Sequence, residues 1–179
     1  MDTIETLVAR NRQFAAHKPN GELAMMPALK TMIIGCADPR VDPADVFGLE
    51  LGDAAVIRNI GGRITPATLQ AMAMLRLVAA ADPAGAPGPG WHLIVLHHTD
   101  CGIKRLTGFP DLLAEHFGIE EAELDSKHIA DPWASVATDV AALKANPFLP
   151  AEFIVSGLVY DVETGLVGQV VGPELLRNS

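Results

Sequence analysis

Two cysteines and a pair of histidines carry the chemistry open to this chain. Cys36 ends the apolar run Met32-Ile33-Ile34-Gly35 and is followed at once by Asp38 and Arg40, in Cys36-Ala37-Asp38-Pro39-Arg40. A second apolar run, Leu93-Ile94-Val95-Leu96, leads into His97-His98-Thr99-Asp100-Cys101-Gly102. Two sulfurs and one imidazole nitrogen, at the ends of two strand-like runs, are a donor set for a zinc ion with one open position. The same residues also allow other chemistry. Cys36 and Cys101 could form a disulfide, which needs an oxidising compartment. Cys101 could act as a thiol nucleophile activated by a histidine, or both cysteines could be small buried hydrophobes.

Spacing narrows the choice of histidine. Side chains alternate along a strand, so His97 and His98 point to opposite faces and only one of them joins Cys36. His92 lies roughly 20 Å back along the strand, at about 3.3 Å per residue, and is out of reach. Cys101 stands three positions after His98, a spacing that lets both face one ion and favours His98. Asp38, two residues from Cys36, has two options: it ligates the metal as a fourth donor, or it accepts a hydrogen bond from metal-bound water. Arg40 offers a rigid fork that can hold this carboxylate away from the metal.

The elements that must position these residues alternate in type. A helix is expected over residues 2–17, followed by a connection over 18–29 with Pro19, Gly21 and Pro27. Strands are expected over 30–35, 54–57, 91–96, 153–158 and 167–171. The run 30–35 is short, apolar and bounded, as a buried parallel strand is. Asp42-Pro43 reads as the cap and first position of a short helix ended by Gly48, Thr65-Pro66 opens a helix to about Ala80, and Asp131 precedes a helix over 132–144. A shorter helix is expected over 112–117, a loop over 82–90, and a solvated acidic surface over 120–125. The helix after Thr65 is apolar almost all round, so it is expected to be buried on more than one side, by the sheet and by a second subunit. Strands alternating with helices give an α/β fold, with a mostly parallel central sheet of four to five strands flanked by helices and an antiparallel final edge. In such a sheet the sites form at the carboxyl ends of the strands, where Cys36 and His98 both fall.

Bulk properties exclude several classes. The 179 residues are 49% hydrophobic, enough for one domain with a real core. A net charge of −9, with the basic residues scattered, argues against a nucleic-acid surface. The start Met1-Asp2-Thr3-Ile4-Glu5 lacks a signal peptide's basic and apolar regions, and Arg76 interrupts the longest apolar stretch, 71–81, well short of a membrane span. A soluble, cytoplasmic location is the expectation, and two cysteines in a chain of this length are no disulfide framework.

Cys36-x-Asp38-x-Arg40 followed by His98-x-x-Cys101-Gly102 resembles the zinc signature of the beta-class carbonic anhydrases. Arg58-Asn59-Ile60-Gly61-Gly62 is similar to that family's Arg-Asn-Ala-Gly-Gly segment, and Gly157 to Gly165 to its closing strand pair. The double histidine and Asn146-Pro147-Phe148 resemble a compact branch that includes carbonyl sulfide hydrolase-like members. The resemblance spans residues 30 to 171, the expected zinc-binding core of a single domain over 1–179. It implies one Zn2+ per subunit on Cys36, His98 and Cys101, with Asp38 and Arg40 as a catalytic dyad. It also implies a homodimer or dimer of dimers. The expected reaction is reversible hydration of carbon dioxide to bicarbonate by zinc-bound hydroxide. The alternative is hydrolysis of carbonyl sulfide or carbon disulfide at the same zinc, and the rivals from other classes are a closed, non-catalytic zinc site, a bicarbonate-sensing module and a thiol-redox protein. Backbone N–H groups around Gly102 are candidates for positioning the substrate. Three positions depart from the family pattern: Pro39 where Ser or Ala is usual, Ile60 in place of a small residue, and His97 where Gly is common. Proline removes a donor and fixes φ, so a different pose for the dyad's loop is expected.

Overall fold

A computed structural model describes residues 2–17, 23–82 and 89–178. Ten regular elements follow one another: α1 (Thr3–His17), β1 (Thr31–Cys36), α2 (Pro43–Phe47), β2 (Ala54–Asn59), α3 (Pro66–Ala81), β3 (His92–His98), α4 (Pro110–Phe117), α5 (Pro132–Ala145), β4 (Ile154–Tyr160) and β5 (Val167–Leu175). Three helices start on the same local device, an acceptor side chain before a proline. Asp42 accepts from the N–H of Ala44, Thr65 from that of Thr68, and Asp131 from those of Trp133 and Ala134. In each, proline occupies a first-turn position where a missing N–H costs nothing.

The five strands form one sheet in the order β2-β1-β3-β4-β5, parallel except for β5, which runs antiparallel to β4. The antiparallel final edge is as the sequence suggested, but β5 continues to Leu175, past the Val171 expected. β1 and β3 also run further than their apolar cores, to Cys36 and His98, because backbone pairing continues after the apolar residues stop. The connections expected over 18–29 and 82–90 fall partly outside the described residues. The acidic stretch expected to be solvated is a 3-10 helix, Glu121–Lys127, with no buried residue.

One face of the sheet holds the main core. Met32 and Ile34 of β1, Leu93 and Val95 of β3, and Val155 and Val159 of β4 pack with Met72 of α3 and with Val136, Val140 and Leu143 of α5. Ile34, Val95, Val136, Leu143, Val155 and Val159 are sealed from solvent, and burying each such side chain contributes about 1.5–3 kcal/mol. α3 departs from expectation within one chain. Only Thr68 and Met72 are buried, and Met74, Leu75, Leu77 and Val78 are exposed. α1 buries nothing at all, leaving Ile4, Leu7, Val8 and Phe14 open. No helix of the described residues is long and apolar enough to cross a membrane.

Candidate metal centre

From β1 the chain goes to β2 on one side, then crosses to β3 on the other. The carboxyl ends of β1 and β3 therefore flank the point where strand order reverses, the usual place for a site in an open α/β sheet. Cys36 is the last residue of β1 and His98 the last of β3, and Cys101 stands on the turn just after. Their ligand atoms all lie within 4.8 Å of one another, the one such cluster of three among the described residues. The two sulfurs are free and 3.7 Å apart, so no disulfide joins them.

The donor chemistry fits a zinc ion. His98 places Nδ1 2.7 Å from the carbonyl of Thr99. Nδ1 is therefore the N–H, and Nε2 keeps a lone pair. That Nε2 is buried without a hydrogen-bond partner, a costly state that a cation in the cluster would relieve. Backbone N–H groups of Asp38 and Gly61 point at the Cys36 sulfur, and that of Ile103 at Cys101. Without a cation the sulfurs compete for a proton. The Cys101 thiol donates to Cys36 and, against the cost of burial, lowers its pKa to about 4, while the same bond and burial push Cys101 up. A divalent ion removes that competition by letting both be thiolates.

The turn behind Cys36 is built on two glycines with positive φ, Gly61 at 79° and Gly62 at 67°. A Cβ on Gly62 would stand 2.9 Å from the backbone nitrogen of Cys36 and 3.0 Å from the carbonyl oxygen of Leu96. The turn thus packs directly on the strand ends that carry the cluster, a contact only glycine permits.

Asp38 is not part of the cluster. Arg40 grips it: Nη2 lies 2.7 Å from Oδ2, Nε 3.0 Å from Oδ1, and the backbone N–H donates to Oδ1 at 2.9 Å. These bonds hold the Asp38 carboxyl well below the usual carboxylate range and push the Arg40 guanidinium up. With Pro39 between them Asp38 and Arg40 still pair, because the bond across the turn comes from the Arg40 backbone N–H. Arg58 braces the loop by donating to the carbonyls of Cys36 (2.8 Å) and Asp38 (2.7 Å) and to the Asp42 carboxylate. Gly102, exposed, opens a 3-10 helix, Gly102–Gly108, and Ile60 points outward.

His97 faces the other way, into a sealed polar network. Its Nδ1 is 2.8 Å from Ser135 Oγ, and Nε2 is 3.2 Å from Asp139 Oδ2. Asp139 also takes Nε of Arg63 at 2.7 Å and the N–H of Ile64 at 3.1 Å. Arg63 and Asp139 are each 1% exposed. Sequence reasoning missed both. The available signal was an acid on the apolar face of a helix, three residues after Val136, one before Val140 and four before Leu143, where a buried partner is required.

A family model described as carbonic anhydrase matches residues 31–167. Beta-carbonic anhydrase 1 of Mycobacterium tuberculosis is 28% identical over 173 residues, covering 95% of this chain and 99% of that protein. Carbon disulfide hydrolase of Saccharolobus solfataricus is 27% identical over 159 residues, covering 74% of this chain and 72% of that protein. The crystal structure of carbonic anhydrase from Streptococcus mutans superposes with a TM-score of 0.70 at 31% identity, covering 95% of this chain and 98% of that one. A strand-end Cys-His-Cys cluster beside an Asp–Arg pair, on this sheet and with these relatives, places the chain in the beta-carbonic anhydrase family.

Proposed function

We propose that the chain catalyses the reversible hydration of carbon dioxide to bicarbonate, with one zinc ion per subunit held by Cys36, His98 and Cys101. The observation that carries this reading is the open donor set: three ligand atoms converge while the nearest carboxylate, Asp38, is turned into Arg40. Zinc held there would lower the pKa of a water to about 7 and so make a nucleophile available near neutral pH.

The remaining work falls to side chains. A carboxylate has about four acceptor positions. On Asp38, Oδ1 accepts from the Arg40 backbone N–H and from Nε, and Oδ2 accepts from Nη2 at 2.7 Å, with only a long second contact, 3.3 Å, to the Nε–H already directed at Oδ1. Oδ2 keeps a lone pair that can accept the O–H of the reacting water and hold it oriented toward carbon. Because Arg40 keeps Asp38 ionised, that acceptor persists across the working pH range. Gly102 is proposed to offer its N–H to a substrate oxygen.

Carbonyl sulfide and carbon disulfide present the same linear, electrophilic carbon, and one relative is named for hydrolysing the second. One experiment decides between them: stopped-flow CO2 hydration by zinc-loaded protein at mildly alkaline pH, with a chelated control. A fast, zinc-dependent rate is expected. Slow CO2 hydration together with turnover of carbonyl sulfide or carbon disulfide would replace this reading with the hydrolase.

The working unit is proposed to be a homodimer or dimer of dimers. α1 and the outer face of α3 carry eight exposed large apolar side chains, Ile4, Leu7, Val8, Phe14, Met74, Leu75, Leu77 and Val78, that a second copy would cover. Sedimentation at two or four times the chain mass is expected, and a monomer at micromolar concentration would count against it.

A further inference from the structure

Arg40 is tied at both ends of its fork. Besides gripping Asp38, it places Nη1 3.1 Å from Oδ2 of Asp100 and Nη2 3.1 Å from the backbone carbonyl of the same residue. Four of the five N–H groups of the guanidinium are thereby directed at two residues. Yet the Arg40 side chain is 48% exposed. An exposed arginine paired only with a carboxylate two residues away would hold a single pose weakly, since its rotamer freedom opposes the bond. The second tie comes from the turn between His98 and Cys101, sixty positions along the chain.

Asp100 has the unusual backbone this needs. Its φ is +52°, one of three non-glycine residues with positive φ among those described. Asp and Asn tolerate that conformation better than other side chains. Lys104 Nζ takes the other carboxylate oxygen at 2.9 Å, which holds the acceptor in place without competing for Oδ2.

We propose that Asp100 is a positioning residue: its side-chain and backbone acceptors anchor Arg40 in the pose that keeps Asp38 turned away from the Cys36–His98–Cys101 cluster. This rests on the roles given above to Asp38 and Arg40. Without the anchor, Arg40 swings into solvent, and Asp38 is free to turn toward the cluster and occupy the position that substrate water needs. Asp100 itself touches no reacting atom.

The test reads Arg40 directly. In zinc-free 15N-labelled protein, the Nε–H resonance of Arg40, assigned by its loss in Arg40→Lys, reports solvent exchange of the gripped hydrogen. Asp100→Gly keeps the positive φ and the backbone carbonyl and removes only the carboxylate, and exchange is expected to quicken about threefold to tenfold. Asp100→Asn retains an acceptor in the same backbone conformation and is expected to recover most of the protection. In cobalt-substituted protein, thiocyanate binding followed by visible absorption is expected to weaken severalfold in Asp100→Gly, because Asp38 then competes for the open position, and to recover in Asp100→Asn. Parent values for Asp100→Gly in either readout, or no recovery in Asp100→Asn, would overturn the proposal. If the parent protein shows no CO2 hydration, the proposed function fails while Arg40 exchange still decides the anchor.

Discussion

Cys101→Ala is expected to give a folded chain that no longer retains zinc at one per subunit, with CO2 hydration falling to the chelated background. Cys101 sits on the turn after β3, only partly buried, and packs at the margin of the small apolar cluster of Ile103, Leu113 and Phe117, so truncating it to alanine removes little buried surface. Removing one of three donors is a larger loss than disturbing a group behind a ligand, which costs about 10–100-fold in metal affinity. Zinc affinity is therefore expected to fall by more than about 100-fold in competition with a chromophoric chelator. Asp38 does not substitute, because Arg40 already occupies three of its acceptor positions. Undiminished affinity in Cys101→Ala would remove the ligand assignment, and with it the proposed reaction. His97→Asn makes the comparison sharper. It is expected to keep zinc, since His97 reaches Ser135 and Asp139 and not the sulfurs.

What could be read from the sequence was local, and what could not be read depends on the sheet's assembly. Each strand bearing a residue of the candidate metal centre is an apolar run ending in a chemically distinctive residue, so Cys36 and His98 were legible, and the order of elements was enough to bring their strand ends together. The three-residue spacing placed Cys101 beside His98 for the same reason. The choice between His97 and His98 could only be leaned upon, because alternation says that the two diverge and not which way each goes. The fold gives the directions: Ser135 and Asp139 of α5 face His97 from one side, and His98 stands with the two cysteines on the other. Arg63 and Asp139 are 76 positions apart, and no local pattern pairs them. Asp100 and Arg40 are sixty positions apart, and only the fold brings them together. The helix 132–144 was expected from its cap and composition, but its role as the support for β3 follows from packing alone.

That support leads to the second large effect. Asp139→Asn is expected to destabilise the fold by about 3–5 kcal/mol, the cost of leaving a buried charge without its partner. Arg63 would keep at most one neutral amide oxygen at position 139, the carbonyl of Lys127, 2.8 Å away, and the face of the Phe117 ring, 4.8 Å from its guanidinium carbon, and no counter-charge. The pH dependence has a definite sign. Burial pushes the Asp139 carboxyl up, but His97 and Arg63 beside it outweigh burial and the net shift is downward. A carboxyl with a depressed folded-state pKa stabilises the fold at every pH above its unfolded value, near 4, and that stability is lost as pH falls through the folded value. Urea unfolding should therefore show the full gap between parent and Asp139→Asn at pH 7, and a gap that closes as acid protonates Asp139 in the parent. A gap independent of pH would mean that shape and not charge holds α5 to the sheet. Replacing Arg63 and Asp139 together by apolar residues of similar volume should restore much of the stability, since buried pairs often exchange for hydrocarbon at little net cost. The double variant separates folding from site order. Arg63 directly follows the Gly61-Gly62 turn that packs on Cys36, and Asp139 faces His97, the neighbour of His98. Recovered stability with a still-weakened zinc site would show that this charge network positions the metal ligands as well as closing the core.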